Sequence, residues 1–162
     1  WEADQDLNSA MQNSVNWYFQ AIDSQLGINR VQEFLNKIEY GNQTTSSNLD
    51  LYWSDFSLKI SPLEQVTLLK KFNTNEFHLN FQNVFSVKNA IKIASTPNGN
   101  FYGKTGTGRV NGQDINGWFI GYVETSDNSY YFATNIQSDS NATGKKAFEI
   151  TSDILKKLHI WN

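Results

Sequence analysis

Residues Lys104-Thr105-Gly106-Thr107 place one ammonium, two hydroxyls and one side-chain-free stretch of backbone within four positions. That set suits an anion such as a carboxylate, with room for a ligand to approach the main chain. They lie in FYGKTGTG, residues 101–108, where two aromatics favour an extended, half-buried strand and three glycines weaken one. Two further segments carry polar groups in suggestive order. Asn13-Ser14-Val15-Asn16 sets a hydroxyl and an amide close together in an otherwise apolar helical stretch, and Tyr40-Gly41-Asn42 opens a loop. Each segment also has an ordinary reading by itself: a helix surface, a plain turn, and a strand with an incidental cation.

The elements that must position these residues are bounded by composition. The chain has 162 residues, 39% hydrophobic and 14% aromatic, enough for one domain with a real core. A net charge of −3 gives no basic footprint for nucleic acid. Without cysteine there are no disulfides and no thiolate-held metal. His78 and His159 have no partners at metal-ligand spacing, so no metal site is expected. No apolar run approaches the roughly 18–20 residues that span a bilayer, and no signal peptide is visible at the start.

The pattern predicts an α+β fold, an antiparallel sheet with helices. Residues 1–100 read as mostly helical, 101–142 as antiparallel strands and 143–158 as a closing helix, all within a single domain portion 1–162. Ala10, Met11, Val15, Tyr18, Phe19 and Ile22 recur at helical spacing in one opening helix, which Leu26-Gly27 ends. A second helix spans about 31–38, and residues 40–48 form a loop. Ser61-Pro62, with Glu64 three residues after the serine, starts another helix through about Lys70. The segments 101–110, 117–125 and 129–137, separated by turn formers, read as a three-stranded meander. A helix with Ala147, Ile150, Ile154, Leu155 and Leu158 inward follows and would pack on one sheet face.

Taken together, Ser-x-Asn on a helix, Tyr-Gly-Asn in a loop and Lys-Thr-Gly on a strand before a last helix resemble the penicillin-recognising serine acyltransferases. The likeness extends through SAMQNSVNWYFQ, YWSDFSLKISPLEQ, YGKTGTG and NGWFIGYVET, and so across essentially the whole chain. It is closest to the class D β-lactamases and to the related sensor domain of the transmembrane β-lactam receptors that induce resistance. The family's nucleophile belongs to a Ser-x-x-Lys motif upstream of the Ser-x-Asn helix. No such spelling occurs here, Ser86-Val87-Lys88 being one residue too short, so the resemblance places that segment before residue 1.

The resemblance implies the following roles. Lys104, Thr105, Gly106 and Thr107 would face the substrate carboxylate, with the Thr107 backbone N–H as an oxyanion donor. Ser14 would relay a proton to the leaving nitrogen. Trp53 resembles the tryptophan whose indole N–H holds a carboxylated lysine of the upstream motif, and no other cofactor is implied. Tyr40, Gly41 and Asn42 form the structural loop. Asn16 stands where class D enzymes usually carry an aliphatic residue, which favours a β-lactam sensor that keeps its acyl group over a hydrolase that releases it. A non-catalytic peptidoglycan-binding domain is a third possibility. The partners implied are β-lactams and the rest of a receptor chain with transmembrane and zinc-peptidase parts. The implied location is the extracellular face of the bacterial plasma membrane, with secretion as the alternative.

Overall fold

The structure is a computed structural model and describes residues 3–45, 52–53 and 56–161. The chain divides into two compact units, Trp1–Glu64 with Lys71–Ile91, and Gln65–Lys70 with Lys92–Asn162.

The first unit is helical: α1 (Leu7–Gln12), α2 (Asn16–Leu26), α3 (Ile28–Lys37), the ends of α4 (Pro62–Asn73) and α5 (Phe81–Ala90). α1 begins with a capping box. The Asp6 carboxylate accepts from Ser9 N at 2.8 Å and the Ser9 hydroxyl accepts from Asp6 N at 3.0 Å. α4 starts as its spelling predicts, Ser61 N donating to Glu64 Oε2 at 2.8 Å and Glu64 N to Ser61 Oγ at 3.3 Å. Gly27, at φ +80°, ends α2 as expected, and α3 follows it directly.

The opening helix is not continuous. Asn13 closes α1, Ser14 takes a left-handed φ of +50°, and α2 starts two residues later. Ser14 N donates to Met11 O at 3.3 Å and Val15 N to Ala10 O at 2.9 Å, the paired bonds of a Schellman motif. Ala10 and Val15 are both fully buried, the apolar contact that accompanies this motif. Helical spacing runs unbroken across the join, which is why periodicity alone misses it.

The second unit is a sheet in the order β1-β2-β3-β4, made of β1 (Lys92–Thr96), β2 (Gly99–Val110), β3 (Gln113–Thr125) and β4 (Ser129–Gln137), with α6 (Gly144–Lys157) packed on one face. All neighbouring pairs are antiparallel. Among the described residues the strands therefore begin at Lys92 rather than Phe101, and number four rather than three. β1 pairs with β2 across a tight turn from Thr96↔Gly99 to Lys92↔Tyr102, and its five residues are mostly exposed, too little apolar alternation to mark a strand.

Phe101, Phe119, Val123, Ala147 and Leu155 form the core between sheet and α6, flanked by Phe132, Phe148 and Trp161. Phe119 is edge-on to Phe101 at 6.0 Å and to Phe148 at 5.0 Å. On α6 the buried line is Gly144, Ala147, Thr151 and Leu155. The expected inward residues Ile150, Ile154 and Leu158 are exposed instead. Thr151 wins the inward position because its hydroxyl is satisfied twice, donating to Ala147 O at 2.8 Å and lying 2.7 Å from the Thr134 hydroxyl.

Phe119→Ala removes the ring that joins β2, β3, β4 and α6. It should lower unfolding free energy by about 3–5 kcal/mol, read from a denaturant midpoint at unchanged slope.

Candidate functional site

The strand that carries Lys104 owes its geometry to unequal pairing on its two sides. β3 pairs with β2 along its whole length, including Lys104↔Ile120, Thr105↔Phe119, Gly106↔Trp118 and Thr107↔Gly117. β1 pairs only from Gly99 to Tyr102. From Gly103 onward, that side of β2 has no strand neighbour among the described residues and presents an open edge.

Alternation then separates the side chains. Thr105 stands opposite Phe119 on the α6 face, and Thr107 shares that face. Lys104, opposite Ile120, shares the other face with Tyr102 and Tyr122, whose rings stack at 4.7 Å. The Lys104 ammonium donates to Thr105 O at 2.8 Å, and burial pushes its pKa below that of an ordinary lysine. Burial beside Glu124 pushes the Tyr102 phenol up to about 12, so it stays neutral at physiological pH. The Thr107 hydroxyl accepts from Gly144 N at 2.9 Å, which ties the strand to the start of α6.

The glycines around Lys104 differ in kind. A Cβ on Gly103 would lie 2.6 Å from the Phe119 ring, so the core forbids one. A Cβ on Gly106 would meet only the Trp118 Cβ, at 3.7 Å. Packing does not demand glycine at 106, and the bare backbone there leaves space beside the open edge.

Ser14, Asn16, Tyr40, Gly41, Asn42 and Trp53 all belong to the first unit, and Lys104, Thr105, Gly106 and Thr107 to the second. Ser14 is exposed and holds the left-handed position where glycine is usual. Asn16, the first residue of α2, is also exposed. Trp53 is half-buried against the cluster of Val31, Leu35 and Tyr52.

Tyr40-Gly41-Asn42 is a clasp between two loop strands. Asn42 N donates to Lys59 O at 2.9 Å, its side-chain oxygen accepts from Lys59 N at 2.9 Å and its amide donates to Ser57 O at 2.8 Å. Gly41, at φ +48°, lies so close to Lys59 that any Cβ would collide with its carbonyl. Gln32 secures the following residues, donating to Gln43 O at 2.5 Å and accepting from the Thr45 hydroxyl at 2.7 Å. Residues 46–48 of the expected loop lie outside the described residues.

Sequence reasoning missed Gly144 and the tie to Thr107. The available signal was Thr143-Gly144 at a helix start, where the Thr143 hydroxyl accepts from Lys146 N at 3.2 Å as N-cap. Among the described residues no cluster of three or more acidic, histidine or cysteine side chains is placed to hold a metal. No helix among them is long and apolar enough to cross a membrane.

An α+β fold in which Lys-Thr-Gly lies on a strand paired on one side only, with a later helix packed on the sheet, is the arrangement of a penicillin-recognising class of domain. The chain belongs to the penicillin binding protein transpeptidase domain family, whose model matches residues 1–156. The regulatory protein BlaR1 of Bacillus licheniformis is 48% identical over 161 residues, covering 99% of this chain and 27% of that protein. The methicillin resistance mecR1 protein of Staphylococcus aureus is 44% identical over 160 residues, again 99% of this chain and 27% of the relative. Among solved structures, the C-terminal domain of the Bacillus licheniformis BlaR penicillin-receptor superposes with a TM-score of 0.95 at 47% identity, covering all of this chain and 65% of that one. A class D β-lactamase from Bacillus subtilis gives 0.92 at 38%, covering 100% and 66%. The chain thus spans about a quarter of the length of these curated relatives.

Left-handed backbone at Ser14 makes a stability prediction. Ser14→Gly should be more stable than Ser14→Ala by about 1 kcal/mol, because alanine retains the Cβ strain and glycine does not. Paired thermal or urea unfolding curves check the difference.

Proposed function

We propose that this chain is part of an extracellular β-lactam sensor domain. A serine of a Ser-x-x-Lys segment that these residues do not include is acylated by the antibiotic, and the long-lived adduct signals induction of resistance. The observation that carries this reading is Asn16 directly after Ser14-Val15, in a chain 48% identical to a BlaR1 regulatory protein and superposing on a BlaR penicillin-receptor domain at a TM-score of 0.95. The TM-score of 0.92 to a class D β-lactamase keeps hydrolysis as the second reading.

In acyl transfer the serine oxygen bonds to the lactam carbonyl carbon, the ring C–N bond breaks, and the departing nitrogen takes a proton. Ser14 relays that proton on this reading, its hydroxyl held outward by the turn that ends α1. Lys104 supplies positive charge to the reacting groups from a half-buried position, where a charge acts more strongly than in water. On this reading the Thr107 backbone N–H, beyond the stretch of β2 that β1 pairs, serves the developing oxyanion. Trp53 donates its indole N–H to a carboxylated lysine of the Ser-x-x-Lys segment. The receptor's remaining partners would be its transmembrane and zinc-peptidase parts, with this domain on the extracellular face of the plasma membrane.

Sensor and hydrolase differ in the step after acylation. The Asn16 amide both donates and accepts, so it competes for the proton and lone pair that the base lysine needs to activate water. In the complete protein, Asn16→Val should shorten the lifetime of a labelled penicillin adduct severalfold while leaving the range of reactive β-lactams unchanged. Equal lifetimes would remove the chief reason for preferring a sensor. Lys104→Ala should slow adduct formation by about 10²-fold or more, since it deletes the charge that stabilises the reacting groups, with an unfolding curve confirming that the variant is folded. Acylation at the normal rate in that variant would refute its role.

A further inference from the structure

We propose that Gly144 is a positioning residue: the first turn of α6, seated behind β2, sets the placement of the Gly106–Thr107 edge. The inference rests on the acyl-transfer reading of that edge and adds a residue to it.

Three contacts converge where α6 begins. Gly144 N donates to the Thr107 hydroxyl at 2.9 Å. A Cβ on Gly144 would lie 2.6 Å from Gly106 O, 2.9 Å from Gly106 N and 2.9 Å from the Thr105 Cβ. A Cβ on Gly117, the strand partner of Thr107, would lie 2.4 Å from Thr143 O and 2.9 Å from Ala142 O. Residues 142–144 are thus pressed against the backbone of both strands at the position that carries the open edge. The atoms in the way are mostly main chain, which cannot rotate aside as a side chain can. Gly106 itself has free space toward Trp118, so a push from behind moves the strand toward the ligand side. Glycine at 144 is not there for the helix, because alanine is the better helix former. Its absence of a side chain serves the strand.

The test compares Gly144→Ala with Leu155→Ala in the complete protein. Leu155 is buried on the same helix and loosens α6 without touching Gly106. Two quantities are read: the backbone amide resonances of residues 104–108 without antibiotic, and the rate of adduct formation with a labelled penicillin. Gly144→Ala should shift those resonances and slow acylation about ten-fold or more, since displacement of reacting groups by an ångström carries costs of that order. Leu155→Ala should do neither at temperatures where both variants stay folded. Unmoved resonances in Gly144→Ala, or equal slowing in both variants, would overturn the proposal. If the unaltered protein forms no adduct, the acyl-transfer reading fails, while the resonances still decide the placement of the edge. Should Gly144→Ala not fold, Thr107→Val and Thr107→Ser take its place. Valine lacks and serine keeps the acceptor for Gly144 N–H, so a shift of the 104–108 resonances in the valine variant with recovery in the serine variant supports the tie, and equal resonances in both overturn it.

Discussion

The strand bearing Lys104 can leave one edge open only because its other edge and one face are held tightly. An unpaired edge with three glycines is a weak strand by itself, entropically costly and poor in side-chain contacts. β3 supplies a continuous antiparallel partner, and Phe101 and Phe119, both nearly inaccessible, anchor that pair against α6. Each aromatic pair adds about 0.5–1.5 kcal/mol beyond the area it buries. The two aromatic rings therefore support the strand from one face, steadying a segment whose own composition is poor in side-chain contacts.

A second constraint lies in the first unit, where Ser14 occupies the left-handed residue of a Schellman motif. An L-residue there costs about 1–2 kcal/mol relative to right-handed backbone. The motif places Ala10 and Val15 in the interior and turns the intervening side chain outward. On the proposed reading the serine in this glycine-favouring position is kept for its hydroxyl, as strained residues at sites often are. Asn16 follows at the first position of α2, so a single turn orients both polar groups.

Much of this was legible in the sequence, and the reasons for the rest are physical. The β2, β3 and β4 segments read correctly because aromatic and β-branched alternation is broken by turn formers at regular intervals. α4 read correctly because its capping box is spelled out in four residues. The break at Ser14 was hidden because apolar spacing continues across a turn of almost the same pitch. On α6, both Ile150-Ile154-Leu158 and Ala147-Thr151-Leu155 have helical spacing, and hydrophobicity favours the wrong line. Only the Thr134 hydroxyl on β4 identifies Thr151 as an inward residue, and that is a long-range fact. The separation of Lys104 from Thr105 and Thr107 by strand alternation follows from spacing alone, yet their tie to Gly144 spans 37 residues.

That long-range tie bears on how one scaffold serves both receptors and hydrolases. Acylation needs the edge backbone, the lysine charge and a proton relay, and these depend on strand pairing and helix capping that either kind of protein can share. Deacylation needs one further condition, a water activated beside the ester, which on the proposed reading the Asn16 amide opposes; Asn16 is exposed, so a change there leaves the core contacts in place. A change of outcome from turnover to retention is thus compatible with a nearly unchanged fold, as the TM-scores of 0.95 to a receptor domain and 0.92 to a hydrolase illustrate. On the proposed reading, what distinguishes the two is the free energy of one late transition state, which a few polar atoms around the base would move.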